Sequence, residues 1–329
     1  MGSIFAFARA YGAKLWLSFL IIFSIWFGLN QRAEMARIWD LLLNSDEEWL
    51  FALVGIEIAI LTLIAASYRS LLSGLGHRVK LDILIGVHLK RVVVGTISPV
   101  GGPPSMAIFV HALRRRGVRP ADALLAISLK SVIGNVAFLF LLLPVLLVQK
   151  PSMALIICTI ALVVIVLAMS GALVLVLRSA KPPRWFLKRL PRMGLKFVAQ
   201  ARRHDVHLRS LLTPFAMVLA TKVAGVVMLF VSLHAVGNSP DINVPLVAYV
   251  VGMVFMLVAP VFQGIGFVEV GMAVALQKLG VPAPAAVGAT LLCRAGELWL
   301  PLLSGIAFQT YESVSEHMRR TAPVPQAIP

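Results

Sequence analysis

Residues 259–269 read APVFQGIGFVE, and they interrupt an apolar tract that runs from about residue 246 to residue 279. Proline and the two glycines of this stretch do not support a regular helix, and Glu269 adds a carboxylate directly after them. Inside a bilayer, such a break and such a charge must face protein, water or a ligand. The stretch therefore predicts a helix that is broken within a membrane.

The composition indicates that the surrounding chain is a membrane protein. Of the 329 residues, 59% are hydrophobic and 13% are charged, whereas a soluble domain has about half apolar and a quarter charged residues. The net charge of +16 comes largely from loops beside apolar runs, which favours contact with anionic lipid headgroups over nucleic-acid binding. Cys158 and Cys293 lie within apolar runs, so a disulfide framework has little support. We predict an all-α, polytopic membrane protein.

The apolar runs predict about eight transmembrane segments plus two re-entrant half-helices. The uninterrupted runs are 13–29, 49–67, 121–148, 153–177, 211–236 and 285–310. The loop 178–210 carries ten lysines and arginines but one acidic residue, Asp205, which places it in the cytoplasm. The tail 313–329 and the N-terminus are then cytoplasmic as well. The protein as a whole is predicted to lie in the inner (cytoplasmic) membrane of the cell.

Two Gly/Pro breaks predict re-entrant hairpins, at 81–116 and at 246–279. The landmarks of the two copies pair at offsets of 161, 163 and 164 residues: Pro99 with Pro260, Gly117-Val118 with Gly280-Val281, and Lys130 with Arg294. The charge bias orients the two copies oppositely, so residues 1–150 and 151–312 are predicted to form an inverted repeat. Secondary transporters use such repeats with a site at mid-membrane. The alternative is chance similarity between Gly/Pro-rich membrane segments.

Charged residues within the apolar runs, together with the breaks, form the predicted substrate-binding set. Its members are Lys90, Arg91, Lys130, Arg294, Glu269, Glu297, Pro99, Gly101, Gly102, Pro260, Gly264 and Gly266. Cations beside helix N-termini suit a phosphate or another anionic headgroup, which arginine grips at two points. The alternative is that Arg294 and Glu297, three residues apart on one helix, neutralise each other. For Glu57 and Lys222, a functional role and a snorkelling or paired position are equally compatible with the pattern.

Other motifs in the chain are weaker. Gly264-x-Gly266 lacks the third glycine and the strand-turn-helix setting of a dinucleotide site. His204-Asp205-x-His207 has metal-ligand residue types, but its position on a basic loop favours a solvated role. We expect no metal and no cofactor.

The segment from Pro260 to Gly305 resembles the transmembrane region of lysylphosphatidylglycerol synthases, a family of flippase-like membrane proteins. The resemblance rests on Pro260, on Gly264-x-Gly266-x-x-Glu269, on Gly280-Val281-Pro282 and on Arg294. It implies a stand-alone member without the soluble synthase domain, which moves lipids or lipid-linked molecules between leaflets. Many members carry an arginine and an acidic residue after the first-half proline, where this chain has Gly101-Gly102-Pro103, so the headgroup is not specified.

These observations predict a lipid flippase, not an enzyme, with membrane lipids as its partners. Motion is expected to be passive or ion-coupled, with Glu269 as the candidate proton carrier. A membrane-embedded enzyme acting on lipid-linked substrates and an accessory subunit that recruits a partner through 178–210 are the alternatives. Assembly as a homo-oligomer is left open.

Overall fold

The structure, a computed structural model, describes residues 47–98, 102–148, 208–258 and 264–321, together with isolated helical positions between 153 and 171. The main helices of that part are α1 (Glu47–Gly74), α2 (Leu81–Ile97), α3 (Gly102–Arg114), α4 (Pro120–Val148), α5 (Leu212–Ala235), α6 (Asn243–Val258), α7 (Phe267–Lys278), α8 (Ala283–Arg294) and α9 (Leu300–Thr321). A 3₁₀ turn (Leu208–Leu211) precedes α5, and a π-helical segment (Ala295–Trp299) joins α8 to α9.

Four stretches are long and apolar enough to cross a membrane: Glu48–Gly74, Pro120–Leu146, Arg209–Ala235 and Ala283–Glu312. Helix α6 is a shorter apolar helix. The prediction of an all-α, polytopic membrane protein is therefore confirmed. The expected span 13–29, most of 153–177 and nearly all of the loop 178–210 lie outside the described residues. Helix α9 continues to Thr321, so the first part of the predicted tail 313–329 is helical.

The breaks in the sequence separate two pairs of packed helices. Helix α2 ends at Ile97 and packs on α3, whose first turn contains Pro103 and Pro104, where proline costs no helical hydrogen bond. Helix α6 packs on α7 in the same way. Gly264 (φ 74°) and Gly266 (φ 87°) lead into α7 with the positive φ that other residues rarely adopt.

Left-handed glycines end helices at equivalent places in the two halves. Gly117 after α3 and Gly280 after α7 have φ values of 83° and 90°, and the next amide in each case donates back to the fifth residue before it. Gly76 after α1 and Gly237 after α5, which are 161 residues apart, form the same cap. These four ends follow one C-capping pattern, in which glycine satisfies the last carbonyls of a helix. The predicted repeat thus has matching helix ends in the described part of the chain.

The helix–helix contacts of the first predicted half also match those of the second. Helix α1 packs on its counterpart α5. The contacts of α1 with α2 and α4 match those of α5 with α6 and α8, and the contact of α4 with α6 matches that of α9 with α2. Glu57 and Tyr68 on α1 and Lys222 on α5 are therefore carried by the two helices that join the predicted halves.

Candidate functional site

Arg294, at the end of α8, is the centre of one buried polar cluster. Its side chain is 3% exposed, and its Nε donates a hydrogen bond to Oε1 of Glu269 at 2.8 Å. Its Nη1 lies 3.7 Å from Oε2 of Glu297. The hydroxyl of Tyr249, on α6, donates to Oε1 of Glu297 at 2.6 Å. In this Arg294 cluster, one guanidinium lies between two carboxylates. The internal-pairing alternative named Glu297 alone, whereas the shorter contact is with Glu269.

Local backbone geometry positions both carboxylates of the Arg294 cluster. Gly266 is the N-cap of α7, and its amide donates to Oε2 of Glu269 at 2.7 Å, so the carboxylate sits at the positive end of the helix. Glu297 lies on the π-helical segment, a conformation that is rare and is often found at functional sites. Because both oxygens of Glu269 accept hydrogen bonds, this residue serves as the counter-ion of Arg294 rather than as an open acceptor.

A second polar cluster surrounds Tyr68 and is built from all four helices of the first half. Arg91 on α2 donates to the hydroxyl of Tyr68 on α1, and the Tyr68 ring packs on Phe109 of α3 at 4.7 Å between centroids. Nζ of Lys130, on α4, lies 5.1 Å from the centroid of the same ring, within cation–π range. His88 is buried within electrostatic range of Arg91 and Lys130, and its Nδ1 has no hydrogen-bond partner among the described residues. These residues form the Tyr68 cluster.

Lys222, on α5, lies between the Tyr68 cluster and the Arg294 cluster. It is within electrostatic range of Lys130 on one side and of Glu297 on the other. The hydrogen-bonding contact of its Nζ is with the sulfur of Met253, at 4.0 Å. Among the described residues, Arg91, Lys130 and Lys222 form no ion pair with a carboxylate. The interface between the predicted halves thus holds three basic side chains without a carboxylate in ion-pair distance among the described residues.

The charged residues of the interface lie near the middle of their spans. Lys130 is ten residues into the span Pro120–Leu146, and Glu57 is nine residues into Glu48–Gly74. At a rise of 1.5 Å per residue, both are about 15 Å from the start of the span, half the thickness of a bilayer core of about 30 Å. The polar groups therefore sit at mid-membrane depth if the spans cross as their length indicates.

The structure groups most of the predicted site residues that it describes, but not all of them. Arg294, Glu269 and Glu297 meet in one cluster beside Gly264 and Gly266, and Arg91 and Lys130 meet in the other. Lys90 lies outside both clusters, paired with Glu312 and 5.7 Å from the ring centroid of Phe308 on α9. Gly102 is the exposed first residue of α3. The positions Pro99, Gly101 and Pro260 lie outside the described residues.

The sequence comparison matches this arrangement to a known family. The model of the lysylphosphatidylglycerol synthase TM region matches residues 13–305, which include both hairpins and both clusters. The chain belongs to this family. Membership in the lysylphosphatidylglycerol synthase TM family relates the chain to lipid modification or lipid transport in membranes. No curated protein matches the chain significantly.

Sequence reasoning missed two tyrosines of this family member. Tyr68 and Tyr249 each hold a charged partner, Arg91 in one case and Glu297 in the other. The chain has four tyrosines, and a phenol within an apolar span needs a hydrogen-bond partner. A tyrosine within an apolar span therefore predicts a polar partner on another helix, and this pattern could have identified both residues.

Gly225→Ala should disturb the Arg294 cluster without touching a charge. A Cβ at Gly225, on α5, would lie 2.1 Å from the hydroxyl oxygen of Tyr249, so the ring must move away from Glu297. We expect a loss of about 1–3 kcal/mol in the free energy of unfolding, the usual cost of overpacking. Thermal unfolding in detergent measures this loss.

Gly55→Ala is the matched control for Gly225→Ala. Gly55 also lies within a helix of the interface, α1, but a Cβ there would meet no atom within 4 Å. Alanine favours the helix by about 0.5–1 kcal/mol relative to glycine, so this variant should be at least as stable as the wild type. Equal stabilities of the two variants would contradict the close packing of Tyr249.

Proposed function

We propose that this protein is a lipid flippase, which moves a lipid or lipid-linked molecule with an anionic headgroup between the leaflets of the cytoplasmic membrane. The observation that carries the proposal is the set of three cations, Arg91, Lys130 and Lys222, which meet at the interface of the halves without a described carboxylate partner. The cargo is released unaltered, so the activity is transport rather than chemistry.

Basic side chains at this depth that have no carboxylate partner in the described part of the chain support a bound ligand, because a buried charge without a counter-charge is unfavourable. A charged group in the membrane interior is unfavourable by several kcal/mol unless it is paired or hydrated, and such groups therefore mark ion and substrate paths. A phosphate-bearing headgroup would supply the missing negative charge. Arg91 offers a planar, two-point grip, while Lys130 and Lys222 act as point charges on either side.

The Arg294 cluster has a different role in this proposal. Its guanidinium is already neutralised by Glu269 and Glu297, so it holds α7, α8 and the π-helical segment together. It also sets the position of Glu297, which interacts electrostatically with Lys222 of the same half. The Arg294 cluster thus has a structural role, and it lies beside the three cations.

The matching helix ends and helix contacts of the halves support an alternating-access mechanism. If the hairpins α2–α3 and α6–α7 are re-entrant and 153–177 crosses as its sequence predicts, two crossings, α4 and 153–177, lie between α1 and α5. Helices α1 and α5 then run in opposite directions, and the two halves have opposite orientations. Both termini then lie in the cytoplasm. In inverted-repeat transporters, one half rocks against the other around a site at their interface, which opens to each side in turn. The contact between α1 and α5 is where this movement would take place.

Translocation in reconstituted vesicles tests the proposal. Vesicles that contain a fluorescent phosphatidylglycerol in both leaflets are treated with a membrane-impermeant quencher, with and without the purified protein. In protein-free vesicles the quencher reaches the outer leaflet alone, whereas the wild type should bring the inner-leaflet lipid out to be quenched as well. Equal quenching with and without protein would overturn the proposal.

The same vesicles distinguish the two other functions. Mass spectrometry of the extracted lipid should find it chemically unchanged, and a modified lipid would show an enzyme instead. Neutralising the lysines and arginines of 178–210 should leave translocation intact, whichever partner that loop recruits in the cell.

A further inference from the structure

Glu57, on α1, is a buried carboxyl group that the proposed headgroup site does not use. The residue is 2% exposed, and its Oε2 has no hydrogen-bond partner among the described residues. The other two carboxylates of the interface are held differently. Both oxygens of Glu269 accept hydrogen bonds, and Glu297 accepts one from Tyr249 and lies beside Arg294. An ionised, unpartnered oxygen in an apolar interior is strongly unfavourable, so this position calls for a ligand.

The groups that face Glu57 come from the second half of the protein. Of the elements packed on α1, the π-helical segment contributes Glu297, and adjacent α8 contributes Cys293; both interact electrostatically with Glu57. Lys222 of α5 faces Glu297 instead. On α2 and α4, Arg91 and Lys130 face Tyr68. The other charged groups of these two helices are exposed or paired elsewhere: Asp82, Lys90 with Glu312, and Asp122 with His77. Among the described groups, the charged neighbour of Glu57 is thus a second carboxylate, that of Glu297.

We propose that Glu57 and Glu297 form a proton-binding site at the contact between the two halves. The bound proton resides on Oε2 of Glu57, because Glu297 accepts a hydrogen bond from Tyr249 and lies 3.7 Å from Arg294, whereas Oε2 of Glu57 has no hydrogen-bond partner among the described residues. With the proton in place, the pair carries one negative charge. This site replaces Glu269 as the proton carrier, since Glu269 is committed to Gly266 and Arg294.

Proton release would act directly on the interface of the halves. The O–H bond of Glu57 breaks, the proton passes to water, and two like charges then face each other between α1 and the π-helical segment. Repulsion between them favours separation of these elements, and rebinding of a proton from the other side of the membrane restores the contact. The site therefore couples proton movement to the rocking of the halves. The coupling rests on the proposed lipid transport, whereas the proton site itself does not.

Infrared spectroscopy of the purified protein in lipid nanodiscs tests the proton site without reference to transport. The difference spectrum between acidic and alkaline buffer should contain the carbonyl band of a protonated carboxyl group that titrates. Glu57→Gln should abolish this band, and Glu297→Gln should shift its midpoint, because the neighbouring charge is removed. Glu312→Gln is the control, since Glu312 pairs with Lys90 at the far end of the span, and it should leave the band unchanged.

Two infrared results would overturn the proposed proton site. A band that survives Glu57→Gln, or one that is lost in Glu269→Gln instead, would show that Glu57 does not hold the proton. Because glutamine mimics the protonated carboxyl group in size and charge, Glu57→Gln should fold normally. Its elution as a single species and a thermal midpoint at least equal to that of the wild type check this.

Translocation under a pH gradient tests the coupling. Wild-type vesicles should move the fluorescent lipid at rates that depend on the direction of the gradient, and Glu57→Gln should lose that dependence. Wild-type translocation that is active but insensitive to the gradient would overturn the coupling. If the titrating band is present while no vesicle shows translocation, the lipid-transport proposal fails and the proton site stands.

Discussion

Arg294→Ala should lower the free energy of unfolding by about 3–5 kcal/mol, the usual cost of removing one partner from a buried ion pair. The guanidinium is 3% exposed and is shared by Glu269 and Glu297, so its loss leaves two carboxylates without their counter-ion. Translocation should be lost as well, because Glu297 no longer has a fixed position beside Lys222. Unfolding in detergent and the vesicle assay measure the two effects.

A double-mutant cycle separates pairing from packing at Arg294. If the ion pair is the cause, Arg294→Ala combined with Glu269→Gln should be more stable than Arg294→Ala alone, since one orphaned charge has been removed. Arg294→Lys keeps the positive charge but has fewer hydrogen-bond donors, so it should lose less stability than Arg294→Ala. Stability of Arg294→Ala within about 0.5 kcal/mol of the wild type, the usual range of surface substitutions, would contradict a buried, shared guanidinium.

Lys222→Met and Lys130→Met should each reduce translocation of anionic lipid by roughly 10- to 100-fold, if each lysine supplies a charge-assisted bond of about 1.5–3 kcal/mol. Methionine has a similar length and no charge. Because neither lysine has a described carboxylate partner, its removal should leave the protein as stable as before or more stable. Lower activity with equal or higher stability is typical of a functional site.

Lys90→Met is the matched control for the two lysine variants. Lys90 also lies in an apolar helix of the first half, but it pairs with Glu312 and contacts Phe308. Its removal should affect stability slightly, as an ion pair with both partners partly exposed contributes about 0–1 kcal/mol, and translocation should continue. A loss of translocation in Lys90→Met equal to that in Lys222→Met would show that the effect is not specific to the interface.

The sequence predicted features that depend on one residue type at one position, such as a glycine with positive φ or a charge in an apolar run. The Gly/Pro breaks predicted two helical hairpins, because glycine with positive φ and proline in a first turn are hard to place elsewhere. Gly117 and Gly280, matched by spacing alone, end their helices with the same backbone hydrogen bonds. The charged residues of the apolar runs were identifiable because burial of a charge demands an explanation.

The partners of those charges were not predictable, because they depend on helix packing. The sequence offered substrate binding or pairing with Glu297 for Arg294, but it did not predict that Glu269, 25 residues earlier, reaches the guanidinium from α7. Lys90 and Arg91 are adjacent in sequence, but successive helical residues point in different directions, and they contact α9 and α1 respectively. For Lys222 and Glu57 the sequence left a functional and a paired position equally open, because the choice depends on how α1 and α5 pack.

Photoaffinity labelling with a lipid whose headgroup carries both a phosphate and a photoreactive group tests the central claim most directly. The claim is that an anionic headgroup binds at mid-membrane between the halves. Labelled peptides should come from α4 around Lys130 and from α5 around Lys222, and excess unlabelled phosphatidylglycerol should suppress the labelling. Labels restricted to outward-facing side chains such as Phe51, Ile58 and Leu143, all of them exposed, would contradict it.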